Sequence, residues 1–327
     1  MRNKLSVSSS PHIRSTASTQ RIMLDVIIAL LPTTVAGVII FGLRSLAVIA
    51  SCIASALLSE FLFNLITKRE NTLGDLSAVL TGLLLALNLR ADTPIWQCVI
   101  GAAFAIVVVK CLFGGLGCNF ANPAITARVF MLLAFTGAVA GGAAPVIEAL
   151  REPFIGTHAT GATVEVVTGA TPLELMKWDS ALPSLLDMFL GIHGGAIGET
   201  CSLALIVGFV YLVLRRVIKF ETPVIFVGTV FLLSLIAEGG DFRMALYAVL
   251  SGGLLLGAIF MATDYVTTPI TRSGKMIFAF GCGLITFLIR YFGAYSEGVS
   301  YAILFMNILS PYIEKWTANK PFGGNRA

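Results

Sequence analysis

Long apolar runs separated by short polar breaks dominate this chain. From Leu205 to Leu214 there is no charged residue and no alternation of apolar and polar positions. A membrane β-barrel strand would alternate, so the run reads as a helix in a nonpolar medium. A bilayer is crossed by about 20 mostly apolar residues. On that measure spans are expected near 22–42, 46–67, 98–115, 126–141, 200–214, 223–238, 244–262, 275–291 and 297–313. The apolar segment Ala78–Leu89 is shorter and reads as a short span or as a half-helix buried among the others. Counting it gives about ten.

The expected fold is therefore an all-α polytopic membrane protein. It divides into an N-terminal segment 1–21, a first bundle 22–141, a long loop 142–199, a second bundle 200–313 and a tail 314–327. Composition agrees. Of 327 residues, 57% are hydrophobic and 12% charged, mean hydropathy is +0.89 and net charge is +4. That is too little polar surface to cover a soluble fold. A soluble enzyme, a disordered chain and a nucleic-acid-binding domain are excluded. The polar first 20 residues lack the apolar core of a cleavable signal, so the first span is expected to direct insertion.

Basic residues orient the bundle. With the N-terminus in the cytoplasm, 16 Lys and Arg fall on inner segments and 6 on outer ones. This predicts both termini inside and places the long loop outside. Such a loop is often functional. A weak echo, Pro123–Arg128 against Pro269–Arg272, hints at an internal repeat.

Metal and nucleotide chemistry find little support. The six cysteines contain no CxxC, and His12, His158 and His193 are far apart. There is no phosphate-binding glycine loop, dinucleotide fingerprint or hydrolytic triad. Two local patterns stand out instead. In Thr168-Gly169-Ala170-Thr171-Pro172-Leu173, small residues leave room beside a hydroxyl. Thr followed by Pro is equally an ordinary helix start. In Phe113–Ala124, glycines break a span, and Asn119 and Asn122 precede Pro123. Amides inside a membrane need partners: they cap the next helix, bind a polar heterocycle or coordinate an ion.

These motifs, with Gly195–Thr200, Phe260–Pro269 and the opening Ser9–Ile13, occur in the order found in a known family. The chain resembles the D subunit of the Rnf ion-translocating electron-transport complex. It is more distantly similar to the B subunit of the sodium-pumping NADH:quinone reductase, whose N-terminus is longer. The resemblance implies FMN joined through its phosphate to the last Thr of a D-x-x-[S/T]-G-A-T pattern. Here that residue is Thr171, within Glu165–Thr171, with Glu165 where Asp is usual. Thr168, Gly169 and Ala170 complete the attachment motif. The resemblance also implies a flavin transferase on the outer face, the other Rnf subunits as partners, and a bacterial inner-membrane location. A second, noncovalent flavin (riboflavin) is implied near Asn119 and Asn122.

Charged residues in or near the spans are costly and invite a function. Asp264, among Thr263, Thr267 and Thr268, is the leading candidate for a path carrying Na+ or H+. Asp25, Glu60 and Glu199 are further candidates, with Lys110 as an expected partner for Asp25 and Glu60. The rival from another class is a flavin-free transporter or channel for a small polar solute, which the short segment and broken helices also suit.

Overall fold

The computed structural model describes residues 18–70, 72–135, 141–143, 145, 168–169, 171–178, 182–293, 295 and 297–318. The opening motif, Glu165, Ala170 and the stretch 146–167 of the expected outer loop lie outside the described residues.

The first half begins with a helical hairpin. Helix α1 (Thr19–Phe41) starts where the Ser18 hydroxyl accepts from Arg21 N–H. It turns at Gly42 into α2 (Leu43–Thr67). Helix α3 (Ser77–Leu87) follows a tight turn in which the Asp75 carboxylate accepts from Ser77 N–H at 2.8 Å. It is short and almost wholly buried, a half-helix enclosed by its neighbours. Helix α4 (Ile95–Ala103) continues as a π-helical stretch, Phe104–Cys111. The wider turn of a π-helix is often found at functional sites. Helix α5 (Pro123–Ala134) is capped by Asn122, whose Oδ1 accepts from Ala124 and Ile125 N–H. Of the roles open to that amide, capping is the one the fold displays.

The connecting region contains a two-residue ladder of β1 (Gly142–Ala143) and β2 (Thr168–Gly169), then α6 (Pro172–Lys177) and α7 (Leu185–Leu190). The second half comprises α8 (Ser202–Leu214), α9 (Glu221–Ala237), α10 (Phe242–Leu250), α11 (Leu254–Leu256), α12 (Arg272–Phe292) and α13 (Val299–Thr317). Helix α11 runs on as a π-helical stretch, Gly257–Met261. The span expected at 244–262 is therefore broken. Between α10 and α11 the axis bends by 65° around Ser251-Gly252-Gly253, where Gly252 adopts φ 65°.

By length and composition, α1, α2 and α12 can each cross a bilayer, and the bent α10–α11 pair is a fourth candidate. Shorter apolar helices, α3, α4 with its π-helical extension, α5, α8 and α9, fill in around them. Helix α1 packs on α8, α2 on α3 and α4, α9 on α12, and α5 on α13. At the α1–α8 crossing, a Cβ on Gly208 would lie 2.4 Å from the Ala29 carbonyl oxygen. Small residues of this kind allow close helix contact where lipid gives no hydrophobic drive. Leu30, Leu85, Ile106, Ile125, Phe226 and Phe278 fill the core. Ile39, Leu43, Ile66, Ile236 and Phe292 are exposed, as apolar side chains facing lipid or partner helices would be.

The sequence echo does not fall in structural register. Pro123 is the first residue of α5, whereas Pro269 precedes Thr271, the cap of α12. In both halves a π-helical end leads through a loop to a helix capped by a polar side chain.

Candidate functional site

Thr171 begins α6 in a reciprocal cap. Its Oγ1 accepts from Glu174 N–H at 3.3 Å, and the Glu174 carboxylate accepts from Thr171 N–H at 2.8 Å. Pro172 fits the first helical position because its missing N–H has no partner to lose there. The plain helix-start reading is thus correct in structure, and the question becomes what the hydroxyl faces. Ala143 exchanges two backbone hydrogen bonds with Gly195, at 3.1 and 3.2 Å. A Cβ on Gly142 would lie 2.9 Å from Thr171 Cγ2, so this backbone forms a close wall behind the threonine. Lys177 donates to the carbonyls of Gly293 and Tyr295, tying α6 to the α12–α13 connection.

Thr171 shares a cavity of about 570 Å³ with Arg128, Glu199, Tyr295, Glu297 and Tyr301. Its floor is a buried cluster of charge where three helix ends converge. At the end of α3, Asn88 Oδ1 accepts from Arg128, while Gly198 N–H and Ile197 N–H donate to the carbonyls of Leu87 and Leu89. At the end of α10, Arg290 donates to the carbonyls of Ala248 and Ser251. At the start of α11, Glu297 accepts from Gly253 N–H at 3.1 Å and is ion-paired with Arg128. Arg290 thus meets the carbonyl end of a helix and Glu297 meets an N–H end, as helix dipoles favour.

Glu199 completes this cluster. Its Oε1 accepts from Ala196 N–H at 2.9 Å. Its Oε2 has no hydrogen-bond partner, and the nearest cation, Arg128 Nη2, is 3.9 Å away. The side chain is only 7% exposed. Oε2 is one of several buried polar atoms without a partner among the described residues, and it belongs to a side chain that borders the cavity. Thr171 therefore sits at the edge of a cavity whose floor carries a buried, unpartnered carboxylate oxygen.

A second cavity, of about 790 Å³, lies between the two capped loops. It brings together Asn119, Asn122 and Asp264, with Lys110, Leu84 and Phe260. Asn119 donates to the Ala121 carbonyl at 3.0 Å. Asn307 on α13, its amide oriented by its partners, joins the Thr267 carbonyl to Asn122 N–H at 3.2 Å each. Asp264 accepts from Val266 N–H at 3.3 Å and from the Thr267 hydroxyl at 3.1 Å. Burial pushes its carboxyl up from the ordinary value, against those two hydrogen bonds. Thr263 and Thr268 turn their hydroxyl protons to the carbonyls of Ile259 and Asp264, so only Thr267 binds the carboxylate directly.

Lys110 takes one of its two expected partners. Its ammonium lies 2.8 and 2.9 Å from the Glu60 carboxylate oxygens and 2.6 Å from the Ser77 hydroxyl. Asp25 instead meets the Tyr211 hydroxyl at 3.0 Å and Arg215 at 3.2 Å, across the α1–α8 contact. Among the described residues, no three His, Cys, Asp or Glu are grouped to hold a metal ion. Thr168 and Gly169 form the ladder with β1.

The cluster around Arg128, Arg290 and Glu297 is absent from the sequence-based site. By the charge count along the chain Arg128 is a cytoplasmic residue, yet it is buried within α5. A lone arginine in the apolar run Ala124–Leu133 is the available signal.

The model of the NQR2, RnfD, RnfE family matches residues 6–323. The chain is 43% identical to the D subunit of a Na(+)-translocating ferredoxin:NAD(+) oxidoreductase complex from Acetobacterium woodii, over 98% of this chain and 95% of the relative. It is 37% identical to the D subunit of a proton-translocating ferredoxin:NAD(+) oxidoreductase complex from Clostridium ljungdahlii, over 99% and 98%. The D subunit of an ion-translocating oxidoreductase complex from Stutzerimonas stutzeri is 39% identical, over 94% and 93%. The chain belongs to the NQR2, RnfD, RnfE family, on its RnfD side.

Proposed function

We propose that this chain is the D-type membrane subunit of an Rnf-type ferredoxin:NAD+ oxidoreductase complex. In it, electron transfer drives Na+ or H+ across the bacterial inner membrane, with both termini of this chain cytoplasmic. The other Rnf subunits and lipid cover its exposed apolar faces. It completes no reaction alone.

In this reading Thr171 carries FMN as a phosphoester placed by a flavin transferase. The observation that carries the reading is the position of Thr171 on a cavity floored by Arg128, Glu199 and Glu297, in a chain this similar to the D subunits of such complexes. Esterification is compatible with the cap, because an ester oxygen still accepts a hydrogen bond from Glu174 N–H. Bound there, FMN supplies a one- or two-electron relay. The chain's own residues then do three things. Leu132 and Leu173 exclude water, the Tyr295 and Tyr301 rings offer flat contact surfaces, and the charged floor sets the local field.

The cavity of Asn119 and Asn122 is the proposed seat of a second, noncovalent flavin, riboflavin. Asn122 Oδ1 is committed to its cap, which leaves its amide donor for a ligand. The ion path is assigned to the carboxylates Asp264, Asp25, Glu60 and Glu199. Asp25 and Glu60 are already neutralised by basic partners, so Asp264 and Glu199 carry most of this assignment.

The test is ultraviolet fluorescence of the denatured chain in a gel. A signal is expected in the wild type and is expected to vanish in Thr171→Ala. A signal unchanged by that substitution removes Thr171 as the attachment residue. A chain without any flavin in an active complex favours the transporter reading.

A further inference from the structure

We propose that Glu199 is a proton-accepting group coupled to reduction of the group held at Thr171. This deepens the reading above and rests on Thr171 carrying a flavin.

Three observations carry it. Glu199 and Thr171 border one cavity, and Tyr295 on the same wall is 49% exposed, so the cavity runs from solvent to the buried carboxylate. Within the cluster the other charged groups each hold partners, although Arg128 Nε and Arg290 Nε are buried without one. Glu297 is bound by Gly253 N–H and Arg128, Arg128 by Asn88 and Glu297, and Arg290 by two carbonyls. Glu199 Oε2 alone among the carboxylate oxygens of the cluster is buried without a hydrogen-bond partner. A proton placed there turns an unpaired acceptor into a donor facing the cavity.

Charge balance gives this a function. With Arg128 and Arg290 against Glu199 and Glu297, the cluster is neutral when both carboxylates are ionised. An electron arriving from the complex's iron–sulfur donor adds one negative charge beside that floor. Uptake of one proton by Glu199, drawn through the open side of the cavity, restores neutrality. Were a flavin held at Thr171 to take one electron from that donor, Glu199 would take up one proton and form one O–H bond, and the charge would balance. The reverse occurs when the electron leaves. The groups facing Glu199 that modulate this exchange are Arg128 on α5, Arg290 on α12, Tyr301 on α13, and Glu297 and Tyr295 in the α12–α13 connection.

The experiment uses the intact complex. In-gel fluorescence first establishes that Thr171 carries flavin in the wild type and in Glu199→Gln. Its absence from the wild type defeats the flavin reading itself. The potential of the covalent flavin is then titrated against pH. In alkaline solution Glu199→Gln is expected to have the higher potential, because a negative charge is gone. The two curves should converge in acid, where Glu199 is already protonated. Reduced-minus-oxidised infrared spectra should show a protonated carboxyl band that Glu199→Gln lacks and Glu199→Asp retains with a shift. Parallel potential curves at all pH, or an infrared band unchanged in Glu199→Gln, overturn the proposal. If Glu199→Gln does not assemble, the Glu199→Asp infrared shift decides alone, and an unshifted band overturns it.

Discussion

Lys110 and Glu60, on the π-helical extension of α4 and on α2, form an ion pair 2.8 Å long with both side chains at most 3% exposed. The Ser77 hydroxyl accepts the third ammonium hydrogen bond, and Thr72 donates to Glu60 Oε1 at 2.6 Å. Removing one partner leaves a charge buried and unpaired, which typically costs about 3–5 kcal/mol. Glu60→Gln or Lys110→Met should therefore lower the melting temperature and yield of the purified complex. The double substitution should recover much of the loss. Equal damage in single and double variants would show that the pair does more than balance charge.

Cap and cofactor at Thr171 can be separated by substitution. Thr171→Ala removes the side-chain cap, costing about 1 kcal/mol, and the attachment oxygen together. Thr171→Ser keeps an oxygen in both roles. Fluorescence of the denatured chain should be absent in the first and present in the second. Melting temperatures should differ by only a few degrees.

Much of this is legible in the sequence because it rests on local rules. The run Leu205–Leu214 is a helix, Asn122-Pro123 starts one and Thr171-Pro172 starts another. The Ala78–Leu89 run contains an 11-residue helix that is almost wholly buried. What stays hidden depends on contacts between distant segments. The break at Ser251-Gly252-Gly253 lies in a run that reads as one continuous span, and Glu297 and Arg290 from elsewhere satisfy backbone groups freed there. Arg128 escapes for the same reason. Its partners Asn88 and Glu297 lie 40 and 169 residues away, so nothing adjacent in the chain marks it as buried.

Asn122 has two separable roles, cap and proposed flavin contact. Asp caps a helix about as well as Asn but brings no amide donor. Asn122→Asp should fold and yet release less noncovalent flavin on denaturation, measured by chromatography of the extract. Asn122→Ala should lose both flavin and about 1 kcal/mol of stability. Asn119→Ala should lower the released flavin with α5 still capped. Full retention of noncovalent flavin in Asn119→Ala and Asn122→Asp would move the second flavin elsewhere.

Gly253 tests whether the charged floor must be this compact. Its φ of −76° is open to any residue, so backbone strain is no obstacle. The obstacle is space. An added Cβ would stand 2.5 Å from Glu297 Oε1, 3.1 Å from Glu199 Oε2 and 3.3 Å from Arg128 Nη1. Gly253→Ala must therefore push Glu297 off the Gly253 N–H and loosen the Arg128 bridge to it. Overpacking of this kind typically costs about 1–3 kcal/mol. Freed from Glu297, Arg128 should turn toward Glu199, the other carboxylate it reaches among the described residues, and hold it ionised. Gly253→Ala is thus expected to melt lower than wild type and to move any pH-dependent step in the covalent flavin's potential toward acid. Glu199→Gln has no such step to move, so the double variant should titrate like Glu199→Gln alone. A Gly253→Ala protein with wild-type stability and an unmoved step would mean that the floor yields freely and that Arg128 does not govern Glu199.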